Sequence, residues 1–181
     1  MRIIGGRHRG TALAVVGGGD PDARLRPTSD RVRESLFNLI AHGGYADPPA
    51  PQGARVLDLF AGTGALGLEA LSRGAAHCTF VERDRGALRA LEENVDALDL
   101  AQRTRILRSD ASQAAATLDV DIAFIDPPYD FSGWSELLAI VRAPFVVAES
   151  GRTMDPVDGW DITRSKRYGR AWVSFLERSG D

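Results

Sequence analysis

A chain of 181 residues that is 44% hydrophobic can bury one full core, and a net charge of −3 gives no general attraction to nucleic acid or membrane. No apolar run is long enough to span a bilayer, because Arg142 and Pro144 interrupt the stretch 139–148, and the opening MRIIGGRHRG lacks the apolar centre of a secretory signal, so a cytoplasmic protein is expected. The single cysteine, Cys78, allows no internal disulfide, and the scattered His8, His42 and His77 show no metal-ligand spacing, so no metal is expected.

Charge is unevenly placed. Residues 1–40 hold seven arginines against four acids, and the rest of the chain is net −6. That pattern fits a basic arm on an acidic body, or equally a solvated leading segment. Residues 2–15 can form a small hairpin around a Gly-Gly turn. GGGDPDA (17–23) reads as a loop. TSDRVRESLFNLIAHGG reads as a helix capped by Thr28 or Ser29 and stopped at Gly43–Gly44. Val32, Leu36, Leu39 and Ile40 share its apolar face, while Arg31, Glu34 and Asn38 fall elsewhere. Phe37 suits the core better than a stacking role.

A Pro-rich linker, YADPPAPQGA (45–54), separates this extension (1–44) from an alternating body (55–181). In the body, strands are expected at RVLDLF, CTFVE, TRIL, DIAFI and PFVVAE, with a helix after each of the first four. The helices run through Leu71, through Leu88, Leu91, Val95 and Leu98, near 111–118 and near 133–142. Two last strands, near 160–166 and 171–177, form a hairpin closed by a basic turn at Tyr168–Gly169. The expected fold is therefore α/β: a doubly wound, Rossmann-like sheet of seven mostly parallel strands with an antiparallel hairpin at its end. Ligands of such sheets bind at the carboxyl ends of the strands.

Gly62, Gly64 and Gly67 form G-x-G-x-x-G between a strand and a helix, and Glu82 ends the next strand, where an acid would hold a ribose. Read literally, this is a dinucleotide fingerprint. Asp58 argues otherwise. It lies four residues before Gly62, where a carboxylate would repel a pyrophosphate. S-adenosyl-L-methionine has no phosphate; its ammonium and sulfonium both favour a nearby carboxylate. Asp110, at the end of the third strand, can accept from an adenine amine.

The fourth strand ends in Asp126-Pro127-Pro128-Tyr129. Two prolines make a stiff turn, poor in N–H donors and rich in carbonyls. The Asp126 side chain and the Pro127 carbonyl can accept both hydrogens of an exocyclic amine. Tyr129 offers a ring face for the base. Holding the amine so favours a more nucleophilic nitrogen aimed at a methyl donor. Cys78, at the start of the second strand, is too far from this edge for covalent catalysis.

Three stretches together carry a family resemblance: RIIGGRHRG, LRPTSDRVRESLFNLI, and VLDLFAGTGALGLEALSRGA paired with FIDPPY. The chain resembles, over nearly its whole length, the RsmD family of class I methyltransferases, which modify N2 of a guanine in 16S ribosomal RNA. The loop GGGDPDA and the short C-terminus depart from the pattern. The resemblance implies that Asp126, Pro127, Pro128 and Tyr129 hold a flipped guanine. It implies that Asp58, Phe60, Gly62, Thr63, Gly64, Glu82, Arg83, Asp110 and Ala111 hold S-adenosyl-L-methionine. It implies that the basic extension contacts RNA, for which Arg2, Arg7, Arg9, Arg26, Thr28, Arg31 and Arg33 are the expected residues; arginines on phosphates position a protein without reading sequence. The implied partner is 16S ribosomal RNA in the small subunit or its assembly intermediate, met by a monomer. Competing readings are an adenine-N6 DNA or RNA enzyme, a protein glutamine-N5 enzyme, a non-catalytic RNA-binding assembly factor and, weakest, a dehydrogenase. The turn TRSKRYGR (163–170) is either an RNA clamp or a solvated tip.

Overall fold

The computed structural model describes residues 1–16, 30–45 and 50–180. The expected cap at Thr28 or Ser29 and the loop 17–23 lie outside these residues, as do Arg26 and four residues of the linker (46–49).

Helix α1 (Asp30–His42) precedes the body. The body follows as β1 (Arg55–Leu59), α2 (Ala65–Ser72), β2 (His77–Glu82), α3 (Arg85–Ala97), β3 (Thr104–Arg108), α4 (Ala111–Ala115), β4 (Ile122–Ile125), α5 (Trp134–Ile140), β5 (Phe145–Ser150), β6 (Trp160–Tyr168) and β7 (Ala171–Arg178). The seven strands form one sheet in the order β3-β2-β1-β4-β5-β7-β6. β1 to β5 pair in parallel, and β7 pairs antiparallel with both β5 and β6. The doubly wound sheet expected from the alternation is thus present, with its closing hairpin. α4 is shorter than the stretch 111–118 suggests.

Strand β4 is buried at all four positions, as a central parallel strand must be. Side chains alternate between two cores. One face packs Val56, Phe80, Ile122, Phe124 and Val147 against α1, α2 and α3. The other packs Leu57, Val81, Ala123, Ile125 and Val146 against α4 and α5. Ile3, Leu13, Leu36, Phe37 and Ile40 belong to the first core, so the N-terminal segment and α1 share it with the sheet. Phe37 is core, its ring 5.6 Å from that of Phe124.

The N-terminal hairpin is reduced to a single antiparallel bridge, Arg2 to Ala12. The physical reason lies in α2. Glu69, fully buried, accepts from the backbone N–H groups of Ile4 and Gly5, both at 2.8 Å. Those donors serve a carboxylate rather than a longer strand ladder. The Gly-Gly turn then seats on the end of α2. Gly6 has φ +74°, and a side-chain carbon there would lie 1.9 Å from the Ser72 carbonyl oxygen. Only glycine fits so close an approach.

Gly67 plays a similar part at the sheet. A side-chain carbon on it would come within 2.3 Å of the Phe80 ring and 2.6 Å of Cys78 Sγ. Gly67→Ala should therefore push α2 off β2 and cost about 1–3 kcal/mol, the usual range for overpacking, seen as a lower denaturation midpoint. An unchanged midpoint would mean that α2 has slack the packing does not suggest.

Candidate active site at the carboxyl edge of the sheet

The strand order reverses between β1 and β4, which neighbour each other while their crossovers leave in opposite directions. Such a switch point opens a crevice at the carboxyl ends of the two strands. The glycine loop leaves the end of β1 and DPPY leaves the end of β4, so both motifs line that one crevice.

On the β1 side, Phe60 holds a left-handed backbone, φ 61°, that non-glycine residues seldom adopt. Gly62 follows at φ 57° and Gly64 at φ 86°. A side-chain carbon at Gly62 would meet no atom within 4 Å, so the loop backbone borders open space. At Gly64 it would lie 2.4 Å from Leu91 Cδ1 on α3. The two glycines thus differ in purpose: one leaves room for a ligand, the other lets the loop pack down.

Glu82 braces the loop. Its Oε2 accepts from Gly62 N at 2.8 Å, and its Oε1 from Arg83 N at 2.7 Å and Asp84 N at 2.9 Å. The carboxylate is held rigidly; Oε1 already accepts twice, and Oε2, which accepts once, has a second lone pair that can take a ribose hydroxyl. Arg83 is exposed beside it. Asp110 caps α4, its Oδ1 accepting from Ser112 N at 2.9 Å and Ser112 Oγ at 2.5 Å. Those bonds hold its carboxyl below the usual carboxylate range. Asp110 is exposed and Ala111 behind it is buried.

Asp58 is buried beneath the loop and accepts from Gly67 N at 2.9 Å, which satisfies a donor in the first turn of α2. Burial pushes its pKa up to about 8, the Gly67 bond opposing and the Glu82 charge assisting. The carboxyl therefore keeps its proton to a higher pH than an exposed aspartate does. An unfolded Asp ionises near pH 3.8 and the folded one near 8. Across that window the unfolded state binds fewer protons, so this group's contribution to stability falls as pH rises. Asp58→Asn should remove the loss. Its melting temperature should exceed that of the wild type most at pH 8, with the gap closing towards pH 5. Parallel melting curves across that range would refute the assignment.

Asn94 of α3, also buried, joins the loop to the N-terminal segment. Its Oδ1 accepts from Ala14 N at 2.6 Å, and its Nδ2 donates to Ala14 O at 3.1 Å and to Thr63 O at 3.0 Å. No sequence pattern singles it out.

On the β4 side, Pro127 is buried, Asp126 half-buried, and Pro128 and Tyr129 exposed. Phe131 N donates to Pro128 O at 2.9 Å, closing a turn that carries Tyr129 and Asp130 at its tip. Tyr129 is 45% exposed, and its ring backs onto Gly151 after β5. Phe131 packs edge-on against Phe60 (5.4 Å between centroids) and Trp134 (5.3 Å). This aromatic link between the β1 and β4 loops escapes sequence reading, since three rings spread over 75 residues share no local pattern. Cys78 is buried at the amino end of β2, where burial and the Asp58 charge raise its thiol pKa. It is no nucleophile for this site.

The arginines divide. Arg2 and Arg31 are exposed, and Arg2 pairs with Asp30 at 3.4 Å. Arg33 is corrected by its placement: it is fully buried, and its Nη2 donates to Arg2 O at 2.6 Å and Asp30 Oδ1 at 2.7 Å. It ties α1 to the N-terminal segment and offers phosphate no surface in this structure. Arg7 and Arg9 are exposed, but they sit on the turn docked at Ser72, where α2 ends. That is the amino edge of the sheet, about 17 Å from the crevice by strand length. The structure does not bring them to the site.

The model for the family described as Conserved hypothetical protein 95 matches residues 1–177. The Escherichia coli (strain K12) ribosomal RNA small subunit methyltransferase D is 37% identical over 193 residues, covering 98% of this chain and 90% of that protein. The Haemophilus influenzae protein of the same name is 30% identical, covering 93% and 89%. A solved structure of the Escherichia coli protein yhhF superposes with a TM-score of 0.81 at 36% identity, covering 100% of this chain and 99% of that one.

Proposed function

The chain belongs to the RsmD family, and we propose that it transfers a methyl group from S-adenosylmethionine to the exocyclic N2 amine of a guanine in 16S ribosomal RNA, in the small subunit or its assembly intermediate. The observation that carries the reading is the convergence of the glycine loop and DPPY at one switch point, in a chain 37% identical over its length to a ribosomal RNA small subunit methyltransferase. As an rRNA enzyme without any helix long and apolar enough to cross a membrane among its described residues, it would work in the cytoplasm.

The residues present fit the cofactor. Gly62 leaves space at the loop, the braced Glu82 can accept from a ribose, and Asp110, exposed after β3, would accept from an adenine amine. When bound, S-adenosylmethionine supplies an electrophilic methyl carbon on a cationic sulfur. A cation near Asp58 would favour the ionised carboxylate. Asp126 and the Pro127 carbonyl accept the two hydrogens of the guanine amine and point its nitrogen into the crevice. The Tyr129 face holds the flipped base, which must leave its stack to arrive there. Positioning supplies most of the rate, since well-oriented groups are worth roughly 7–11 kcal/mol. No acid is needed, and the proton shed by nitrogen passes to Asp126 or to water.

Labelled methyl transfer tests this. Small subunits, naked 16S ribosomal RNA and duplex DNA are offered, and the modified nucleoside is identified by mass spectrometry. N2-methylguanosine from subunits or their RNA is expected. Methyladenine, or label in protein, would keep the DPPY chemistry and discard the substrate. Cofactor binding without any transfer would favour a non-catalytic assembly factor.

A further inference from the structure

The turn between β6 and β7 has no role in the chemistry above, yet the sheet register carries it to the active-site edge. Ile125 of β4 pairs with Ala148, so Asp126 stands level with Glu149 one residue on. Glu149 pairs with Val173 of β7, and Val173 with Lys166 of β6. Lys166 therefore lies in the row of Asp126, three strand spacings or about 14 Å across the sheet. The turn Tyr168–Ala171 projects beyond that row, on the side from which a substrate must approach.

Between Asp161 and Glu177 the chain has four cations (Arg164, Lys166, Arg167 and Arg170) and no acid. All four are exposed, and none forms an ion pair with a carboxylate of the described residues. Arg167 is held within the turn by its bond to Gly169 O. Arg164, Lys166 and Tyr168 alternate onto the face that carries α1. There the Tyr168 hydroxyl and Ser35 Oγ lie 2.7 Å apart, and the Tyr168 ring packs against the core. The tip is thus fixed to α1. α1 runs down from this edge, since Tyr45 just past its end stacks at 4.3 Å on Phe145, the first residue of β5. Its first turn, with exposed Arg31, accordingly stands at the same edge.

We propose that Arg164, Lys166 and Arg170 form a phosphate-binding surface beside the crevice, on which the RNA backbone flanking the target nucleotide seats. The inference rests on the RNA-substrate reading above and adds to it where the strand is held. A cationic surface favours polyanion, and phosphate contacts position without reading bases. Lysine and arginine on an edge strand also discourage sheet-to-sheet pairing, but that role moves solubility and not RNA affinity.

The test is the triple variant R164Q/K166Q/R170Q against the wild type, with 16S ribosomal RNA as the probe in binding titrations over a salt series. Each lost phosphate contact should flatten the log–log salt slope by about 0.7–0.9, so roughly 2–3 in total, with affinity at least about tenfold weaker at low salt. The KM for RNA should rise while kcat at saturation and S-adenosylmethionine affinity stay unchanged. The charge-conserving R164K/R170K should bind as the wild type does. An unchanged slope and KM, in an enzyme that methylates RNA, would overturn this surface alone. Should the wild type methylate no RNA, while the triple variant still loses RNA affinity, the surface stands and the substrate reading falls.

Discussion

Asp126→Ala lowers methyl transfer by about a thousandfold and leaves S-adenosylmethionine binding intact. The expectation follows from where Asp126 stands. It is the first residue after a strand buried at every position, and Pro127 behind it is buried, so its backbone has little freedom. A hydrogen bond from the guanine amine to a charged acceptor is worth about 1.5–3 kcal/mol. Its loss also frees the amine to rotate, and a misplacement near 1 Å can cost about a hundredfold by itself. The two together reach about three orders of magnitude. Asp58, Glu82 and Asp110, which we propose hold the cofactor, lie on β1, β2 and the loop after β3, so their arrangement should not change. Single-turnover transfer with calorimetric binding of S-adenosylmethionine separates the two effects. Turnover within tenfold of the wild type would remove Asp126 from the chemistry.

Glu69→Ala destabilises the protein by about 3–5 kcal/mol, the usual cost of removing one partner from a buried charged network. Glu69 is fully buried on α2, and besides Ile4 N and Gly5 N it accepts from Arg73 Nε at 2.7 Å. Its charge also supports the buried Arg33, whose pKa burial pulls down. Truncation strands two half-buried backbone donors and leaves two guanidinium groups short of a counter-charge. For a chain of this size the melting temperature should drop by about 6–20 °C. Hydrogen exchange at Ile4 and Gly5 should rise before the sheet opens, because the N-terminal segment loses its anchor first. Retained protection at those two amides would show that the segment is held by Ile3 and Leu13 alone.

What the sequence by itself determined is whatever local pattern expresses. Strand and helix periods set the α/β class, and with it the edge to which a glycine loop and DPPY must go. Both motifs are contiguous, and their chemistry follows from residues a few positions apart. Tertiary structure decided everything that depends on partners far along the chain. Arg33 and Arg31 look alike in RVRES, yet one is buried under the N-terminal segment and the other faces solvent, because a helix turns 100° per residue and only packing says which face is covered. Arg7 and Arg9 look like site residues until Ser72 fixes their turn at the far edge. Glu69 reads as an ordinary helix acid, and Asn94 as an ordinary helix amide. Each becomes a clamp only when a segment some 65 or 80 residues away presents its backbone. The same holds for the β6–β7 turn, whose charge is plain in the sequence but whose place beside Asp126 comes from four strands in register. Hydrogen bonds and burial are pairwise properties of the folded chain, so no single stretch of sequence can state them.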